Sequence, residues 1–255
     1  LLRELFHKRA VRQRIRLQRG RVQAPVSRSR RCHIWLTGGT GLVGSAFVRL
    51  VRSSPHVERA VSWERSPRAP SEAGTVERRA IDFEALCASP TLPVAAGESP
   101  PQVAVCCLGT TRAKAGSAEA FRRVDLDYVV AFAKAARSAG ASCFLLVTSI
   151  GSDPRSRLLY ARTKGEAEEA VKELGFDSTY LLRPSILDGD RAEHRLGERV
   201  GLVFGRALGP LLGDARRPIH ADVVASALLA CALEQAPGAH VVESDGLWRR
   251  SRRET

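Results

Sequence analysis

A chain of 255 residues with 44% apolar content has room for one full α/β core, and it holds no run of 18 apolar residues that would span a membrane. Its six cysteines form no C-x-x-C pair and have no His at metal spacing, which sets aside a zinc site; they read as small buried hydrophobes of a reducing compartment. The net charge of +13 is unevenly placed: residues 1–31 hold eleven Lys/Arg against Glu4, residues 249–255 hold four Arg against Glu254, and residues 32–248 are neutral.

Three parts are therefore expected: a basic arm and linker (1–31), a single α/β domain (32–248) and a basic tail (249–255). In the arm, Arg9, Arg12 and Arg16 interrupt the apolar positions, so an amphipathic membrane-surface helix is poorly supported. Like charges repel and oppose compaction. Such an arm is either solvated or held by a larger partner, namely RNA, an anionic lipid surface or acidic protein subunits. Its Arg-rich, acid-poor composition is also that of an organellar targeting region, which predicts a mitochondrial matrix or other organelle interior, with the cytoplasm as the alternative.

The domain begins with an apolar run, Ile34–Trp35–Leu36, that stops at Thr37 and is followed by Gly38, Gly41 and Gly44. A stretch with helical spacing follows (Leu42, Val43, Phe47, Val48, Leu50, Val51). This is a strand, a glycine turn and a helix. The first amides of such a helix are unpaired and lie at the positive end of its dipole, so Thr37, Gly38, Thr40, Gly41, Leu42 and Val43 are expected to cradle a pyrophosphate. A second strand, His56–Trp63, ends in Glu64-Arg65, where this fold meets the adenosine ribose. An acid there suits the two hydroxyls of NAD, whereas Arg65, with Arg68, suits the 2′-phosphate of NADP. The expected cofactor is NADP, with NAD as the alternative.

A third strand (Val76–Ile81) closes on Asp82-Phe83, with Asp82 also fit to cap the helix after it. Loop 89–101 shows no chemistry. A strand over Val103–Leu108 precedes Gly109-Thr110, and one long helix is predicted over Ser117–Ala139. The strand Cys143–Thr148 ends at Ser149. Eleven residues later come Tyr160 and Lys164, at i and i+4 on one helix face. A phenol, with a pKa near ~10, works as an acid–base at neutral pH only when a cation stabilises its phenolate. Lys164 supplies that charge, and Ser149 is placed to hold a substrate oxygen, with Thr148 as its rival. The strand Ser178–Leu182 leads into Pro184-Ser185-Ile186. A loop and an apolar helix (Leu196–Leu212) are expected to carry substrate specificity. His220, before a helix to Leu233, reads as structural, and His240–Ser244 as a last strand.

Taken in order, T-G-G-T-G-L-V-G, C-C-L-G-T-T, V-D-L-D-Y, Y-A-R-T-K-G-E and R-P-S-I-L resemble the atypical short-chain dehydrogenase/reductases, over about residues 32–248. Within them the chain is similar to the small NAD(P)-binding proteins that include the human Tat-interacting protein and bacterial oxidoreductase-like relatives. The resemblance implies a doubly wound Rossmann sheet of parallel strands with a small C-terminal substrate-side region. It places Asp82 and Phe83 at the adenine, and Leu108, Gly109, Thr110 and Thr148 near the nicotinamide ribose. It also places Tyr160 and Lys164 against that ribose, and Pro184, Ser185 and Ile186 along the nicotinamide. Asp125 stands where many relatives carry Asn, and Ser185 where they carry Gly. Two functions follow. One is an NAD(P)-dependent oxidoreductase acting on a small carbonyl or hydroxyl compound through Ser149, Tyr160 and Lys164. The other is an accessory subunit of an organellar complex such as respiratory complex I or the mitoribosome, anchored by the arm.

Overall fold

The structure, a computed structural model, describes residues 31–66, 75–188 and 217–252. The arm 1–30, Arg68 and the helix expected at 196–212 lie outside the described residues. Strands β1 (Cys32–Thr37), β2 (Val57–Glu64), β3 (Val76–Ala80), β4 (Val103–Cys106), β5 (Cys143–Val147) and β6 (Ser178–Arg183) are joined by β9 (Gly238–Glu243) in one seven-stranded sheet. A separate short ladder pairs β7 (Leu187–Asp188) with β8 (Ile219–His220). The sheet order is β3-β2-β1-β4-β5-β6-β9 and every neighbouring pair is parallel. Strands in such a sheet are covered on both faces, which is why β1, β4 and β5 are apolar runs rather than alternating ones.

The period of two along each strand divides the core. Ile34, Leu36, Val103, Val105, Cys143 and Leu145 face α1 (Leu42–Ser53) and, further along the chain, α7 (Ala221–Glu234). Trp35, Ala104, Cys106, Phe144 and Leu146 face the other layer. That layer is built from α2 (Phe83–Ala88), the pieces α3 (Arg112–Ala115), α4 (Ala118–Arg122) and α5 (Tyr128–Ser138), and α6 (Leu159–Glu173). The single long helix expected over 117–139 is instead α4 and α5 joined by a π turn, Arg123–Asp127. Period alone cannot show one inserted residue, because the apolar face resumes after it.

The chain order reverses between β1 and β4, and the crevice outside the carboxyl ends of these strands is where an α/β sheet of this kind takes a ligand. Arg249 and Arg250, assigned by sequence to the basic tail, lie in the helix α8 (Ser244–Ser251). Arg249 pairs with Asp245 at 2.7 Å, and Arg250 pairs with Glu234 and lies over the Tyr180 ring. No helix among the described residues is long and apolar enough to cross a membrane.

Candidate dinucleotide site

The glycine turn between β1 and α1 is closed by a hydrogen bond from the Gly41 amide to the Gly38 carbonyl at 3.0 Å. Gly38 has φ of +79°, and a Cβ there would stand 2.5 Å from the Cys107 carbonyl carbon and oxygen. A Cβ on Gly44 would overlap the Gly38 carbonyl. Both glycines are thus fixed by the close approach of turn, helix and β4, as a pyrophosphate turn requires. Gly41, the N-cap of α1, has no side chain to bond the first-turn amides. Those amides belong to Leu42, Val43 and Gly44, and they point outward into the crevice as helix geometry dictates. Thr37 is buried and bonds the Trp63 carbonyl, while Thr40 is exposed at the turn.

At the end of β2, Glu64 is only 5% exposed. Its Oε1 accepts from the Ser62 hydroxyl at 2.9 Å and lies beside Gly39, where a Cβ would come within 3.4 Å of it. Its Oε2 is buried with no hydrogen-bond partner, 3.5 Å from the Arg78 guanidinium. Arg65 is exposed at the rim. Sequence reading found Glu64 and Arg65 but missed Arg78, which reaches the same corner from β3. Asp82 caps α2, accepting from the amides of Glu84 and Ala85 at 2.9 and 3.2 Å. Phe83 is buried and stacks on Tyr128 with centroids 4.9 Å apart.

The residues expected at a reactive end are carried by β4, β5, β6 and α6. Tyr160 opens the first turn of α6, 47% exposed, its ring tilted against Phe121 at 5.8 Å. One turn on, Lys164 is 4% exposed. Its Nζ forms an ion pair with Asp125 Oδ1 at 2.7 Å, and Asp125 Oδ2 accepts from the Thr110 amide at 2.9 Å. Both Asp125 Oδ1 and Lys164 Nζ would lie 3.5 Å from a Cβ on Gly109, at ordinary contact distance. Burial pushes the Lys164 pKa down. The charge of Asp125, then Tyr160, the short Asp125 contact and Cys106 raise it by more, so the amine is held above its ordinary value. The sequence marked Asp125 only as a departure from Asn; V-D-L-D-Y was the signal, but its partner is 39 residues away.

Of the two hydroxyls after β5, Thr148 is buried and spends its hydroxyl on Glu168 Oε1 at 2.6 Å and the Leu182 carbonyl. Ser149 is half-exposed and donates only to the adjacent Ile150 carbonyl, at 3.3 Å. The hydroxyl that remains accessible is that of Ser149. After β6, Pro184 and Ser185 are buried; Ser185 donates to the Arg217 carbonyl and accepts from Ser244, so its hydroxyl is turned into the fold. Ile186 is exposed and Leu108 half-buried. His220 is structural, its Nδ1 accepting the Asp222 amide at the start of α7. Among the described residues no group of three His, Cys, Asp or Glu is arranged to hold a metal.

No protein-family model matches the sequence. Among known proteins the chain is 34% identical over 224 residues to "Protein fmp52, mitochondrial" of Emericella nidulans, covering 85% of this chain and 94% of the relative. It is 36% identical over 192 residues to "Protein FMP52, mitochondrial" of Candida albicans, covering 74% and 83%. These names agree with the mitochondrial address expected from the sequence. Among solved structures, MoeE5 in complex with UDP-glucuronic acid and NAD superposes with a TM-score of 0.60 at 17% identity, over 88% of this chain and 82% of that one. The Bordetella bronchiseptica enzyme WbmF in complex with NAD+ gives 0.60 at 16% identity, over 89% and 79%. At identities this low the likeness shows a shared Rossmann-type fold. The sequence relatives go further: the chain belongs to the FMP52 family.

Proposed function

We propose that this chain binds a nicotinamide dinucleotide in the crevice over β1 and β4 and uses it to reduce or oxidise a small carbonyl or hydroxyl compound. The observation that carries the reading is the buried Lys164 one helical turn from the half-exposed Tyr160, at the opposite end of the crevice from a glycine turn whose geometry tolerates no side chain at Gly38 or Gly44. The bound nicotinamide would supply hydride. Lys164, beside Gly109, would bond the ribose and lend charge to the site. Tyr160 would give a proton to the substrate oxygen, and Ser149 would hold that oxygen. Dinucleotides of both kinds find a feature at the ribose corner: Glu64 for the free hydroxyls of NAD, Arg65 and Arg78 for the extra phosphate of NADP.

The test is titration of the purified chain with NADH and NADPH, followed by tryptophan fluorescence, and a screen of small carbonyl compounds with the coenzyme that binds. Tyr160→Phe is expected to keep coenzyme binding and to lose turnover by at least ~100-fold. Uptake of neither coenzyme would overturn the reading. The charge segregated in residues 1–31, on a neutral body, supports a second role as an accessory subunit docked through the arm. Trimming 1–31 distinguishes the two, since loss of assembly with unchanged Tyr160→Phe function favours the second.

A further inference from the structure

Large apolar side chains left exposed on a folded surface carry information where they cluster. Among the described residues these are Val94, Ile150, Leu158, Tyr160, Ile186 and Val241. Four of the six fall in the segments that leave the carboxyl ends of β5 and β6, the end of a parallel sheet at which ligands bind. Ile150 follows Ser149, Leu158 is the N-cap of α6 at 72% exposure, Tyr160 lies in the first turn of that helix, and Ile186 comes soon after β6. Backbone hydrogen bonds join these segments. The Ile150 amide donates to the Pro184 carbonyl at 2.9 Å, and the Asp153 amide to the Ala161 carbonyl at 3.1 Å. A Cβ on Gly165 would overlap the Asp153 and Pro154 backbone, so the loop after Ser149 is seated directly on α6.

The polar groups of the same segments are largely spent on the fold. Ser152 is buried and donates to the Ser149 carbonyl at 2.7 Å. Asp153 Oδ1 accepts from the Arg155 amide, and Ser156 Oγ from the Leu158 amide. Arg162 donates to the Ser156 and Arg157 carbonyls. Thr148 and Ser185 are occupied by Glu168 and by the Arg217 carbonyl. The hydroxyls left accessible are those of Ser149 and Tyr160, and both fall within the apolar set; Arg155 and Arg157 are exposed on the same loop. A ligand body rich in hydroxyls would meet few partners here and leave polar groups unpaired, whereas an apolar body gains by leaving water.

We infer that the substrate is a carbonyl or alcohol on an apolar body, of the straight-chain aldehyde, ketone or alcohol class, seated against Ile150, Leu158 and Ile186 with its oxygen at Ser149 and Tyr160. This rests on the oxidoreductase reading of the same site and names its substrate class. In the reducing direction the carbonyl carbon takes hydride from the reduced nicotinamide and the oxygen takes the Tyr160 proton. The carbonyl becomes an alcohol, the coenzyme is oxidised, and the phenolate recovers a proton from water.

The test uses the full chain, with and without the coenzyme that binds. A bound, environment-sensitive apolar dye is displaced by straight-chain methyl ketones of about three to about nine carbons, with glyceraldehyde and UDP-glucuronic acid as polar-bodied comparisons. Each added methylene is expected to tighten displacement about 3- to 4-fold, the gain for burying one CH₂, and the polar compounds are expected to leave the dye in place. In Ile150→Gln and Leu158→Gln the gain per methylene is expected to fall below about 2-fold. Both side chains are exposed, so the thermal unfolding midpoints of these variants are expected to stay near that of the parent. A flat ketone series, an unchanged slope in both variants or tighter displacement by the polar compounds overturns the proposal. A midpoint lowered as far as by a core substitution does so too, since it would assign these residues to the fold's own packing. Vesicle binding or self-association that Leu158→Gln abolishes, with no displacement by ketones in the parent chain, likewise overturns it. Uptake of neither coenzyme would sink the functional reading, while the displacement series would still report on the apolar site.

Discussion

Thr148 Oγ1 donates to Glu168 Oε1 at 2.6 Å and thereby joins the end of β5 to the middle of α6. Glu168 also holds Arg183 at the end of β6, with its two oxygens 2.9 and 2.5 Å from Nε and Nη2. One buried carboxylate therefore sets the spacing of the three elements that carry Ser149, Tyr160 and Pro184. Glu168→Leu leaves Arg183 without its main partner and is expected to cost about 3–5 kcal/mol in denaturant unfolding. Thr148→Val removes one bond and is expected to cost about 1 kcal/mol. Equal costs for the two would show that Glu168 is not the hub.

The glycine turn separates fold from ligand binding. Gly38→Ala forces a side chain into a positive φ and against the Cys107 backbone, and is expected to destabilise by about 1–3 kcal/mol or more. Gly41 has φ of −76°, and its nearest neighbour to an added Cβ is the Gly38 carbonyl at 3.3 Å. Gly41→Ala is expected to leave the unfolding midpoint nearly unchanged while weakening coenzyme binding at least ~10-fold, because the methyl enters the space over the α1 amides. Calorimetric titration beside a thermal melt reads both quantities.

At the end of β2, Glu64 and Arg78 lie 3.5 Å apart and would set opposite demands on a dinucleotide's ribose. Glu64→Gln removes the negative charge that a 2′-phosphate would meet, and leaves Arg65 and Arg78 in place. The ratio of NADPH to NADH affinity is expected to rise about 10-fold or more. An unchanged ratio would place the adenosine ribose away from Glu64.

Acid stability centres on the β2–β3 edge. Glu98 from loop 89–101 is buried at its carboxylate and pairs with Arg59 and Arg79, the latter at 2.6 Å. Its pKa is lowered, chiefly by the Arg79 hydrogen bond, and that of Glu77 is lowered to about 2 by the same guanidinium and then by Arg59. A lowered carboxylate lends stability that is present above its unfolded value, near ~4.3, and is lost as the pH falls toward the folded value. Glu98→Gln is expected to cost about 1–2 kcal/mol at pH 7, with the gap to the parent chain closing as the pH falls below about 4. Glu77→Gln, more exposed, is expected to cost less. Urea unfolding at several pH values reads the pattern.

Much of this was legible before any coordinates. The strand–glycine–helix unit at residues 32–53 is local chemistry, and β4 and β5 announce themselves as apolar runs buried on both faces. The Tyr160–Lys164 turn follows from an i, i+4 spacing. What the sequence hid is what depends on partners far along the chain. Asp125 meets Lys164, Glu98 leaves an unremarkable loop to meet Arg59 and Arg79, and Arg78 joins Glu64 from the neighbouring strand. Strand ends were misplaced by a residue or two, since β2 runs to Glu64 and β4 stops at Cys106. These limits are set by where ladder pairing ends, and no single residue encodes them.

Because β9 completes the sheet by lying beside β6, the last edge is laid down only when Gly238–Glu243 becomes available. A ribosome must release the chain through Glu243 before that flank can close. A premature stop anywhere ahead of residue 238 would leave β6 with a bare row of amides and carbonyls, the template on which truncated chains stack into aggregates.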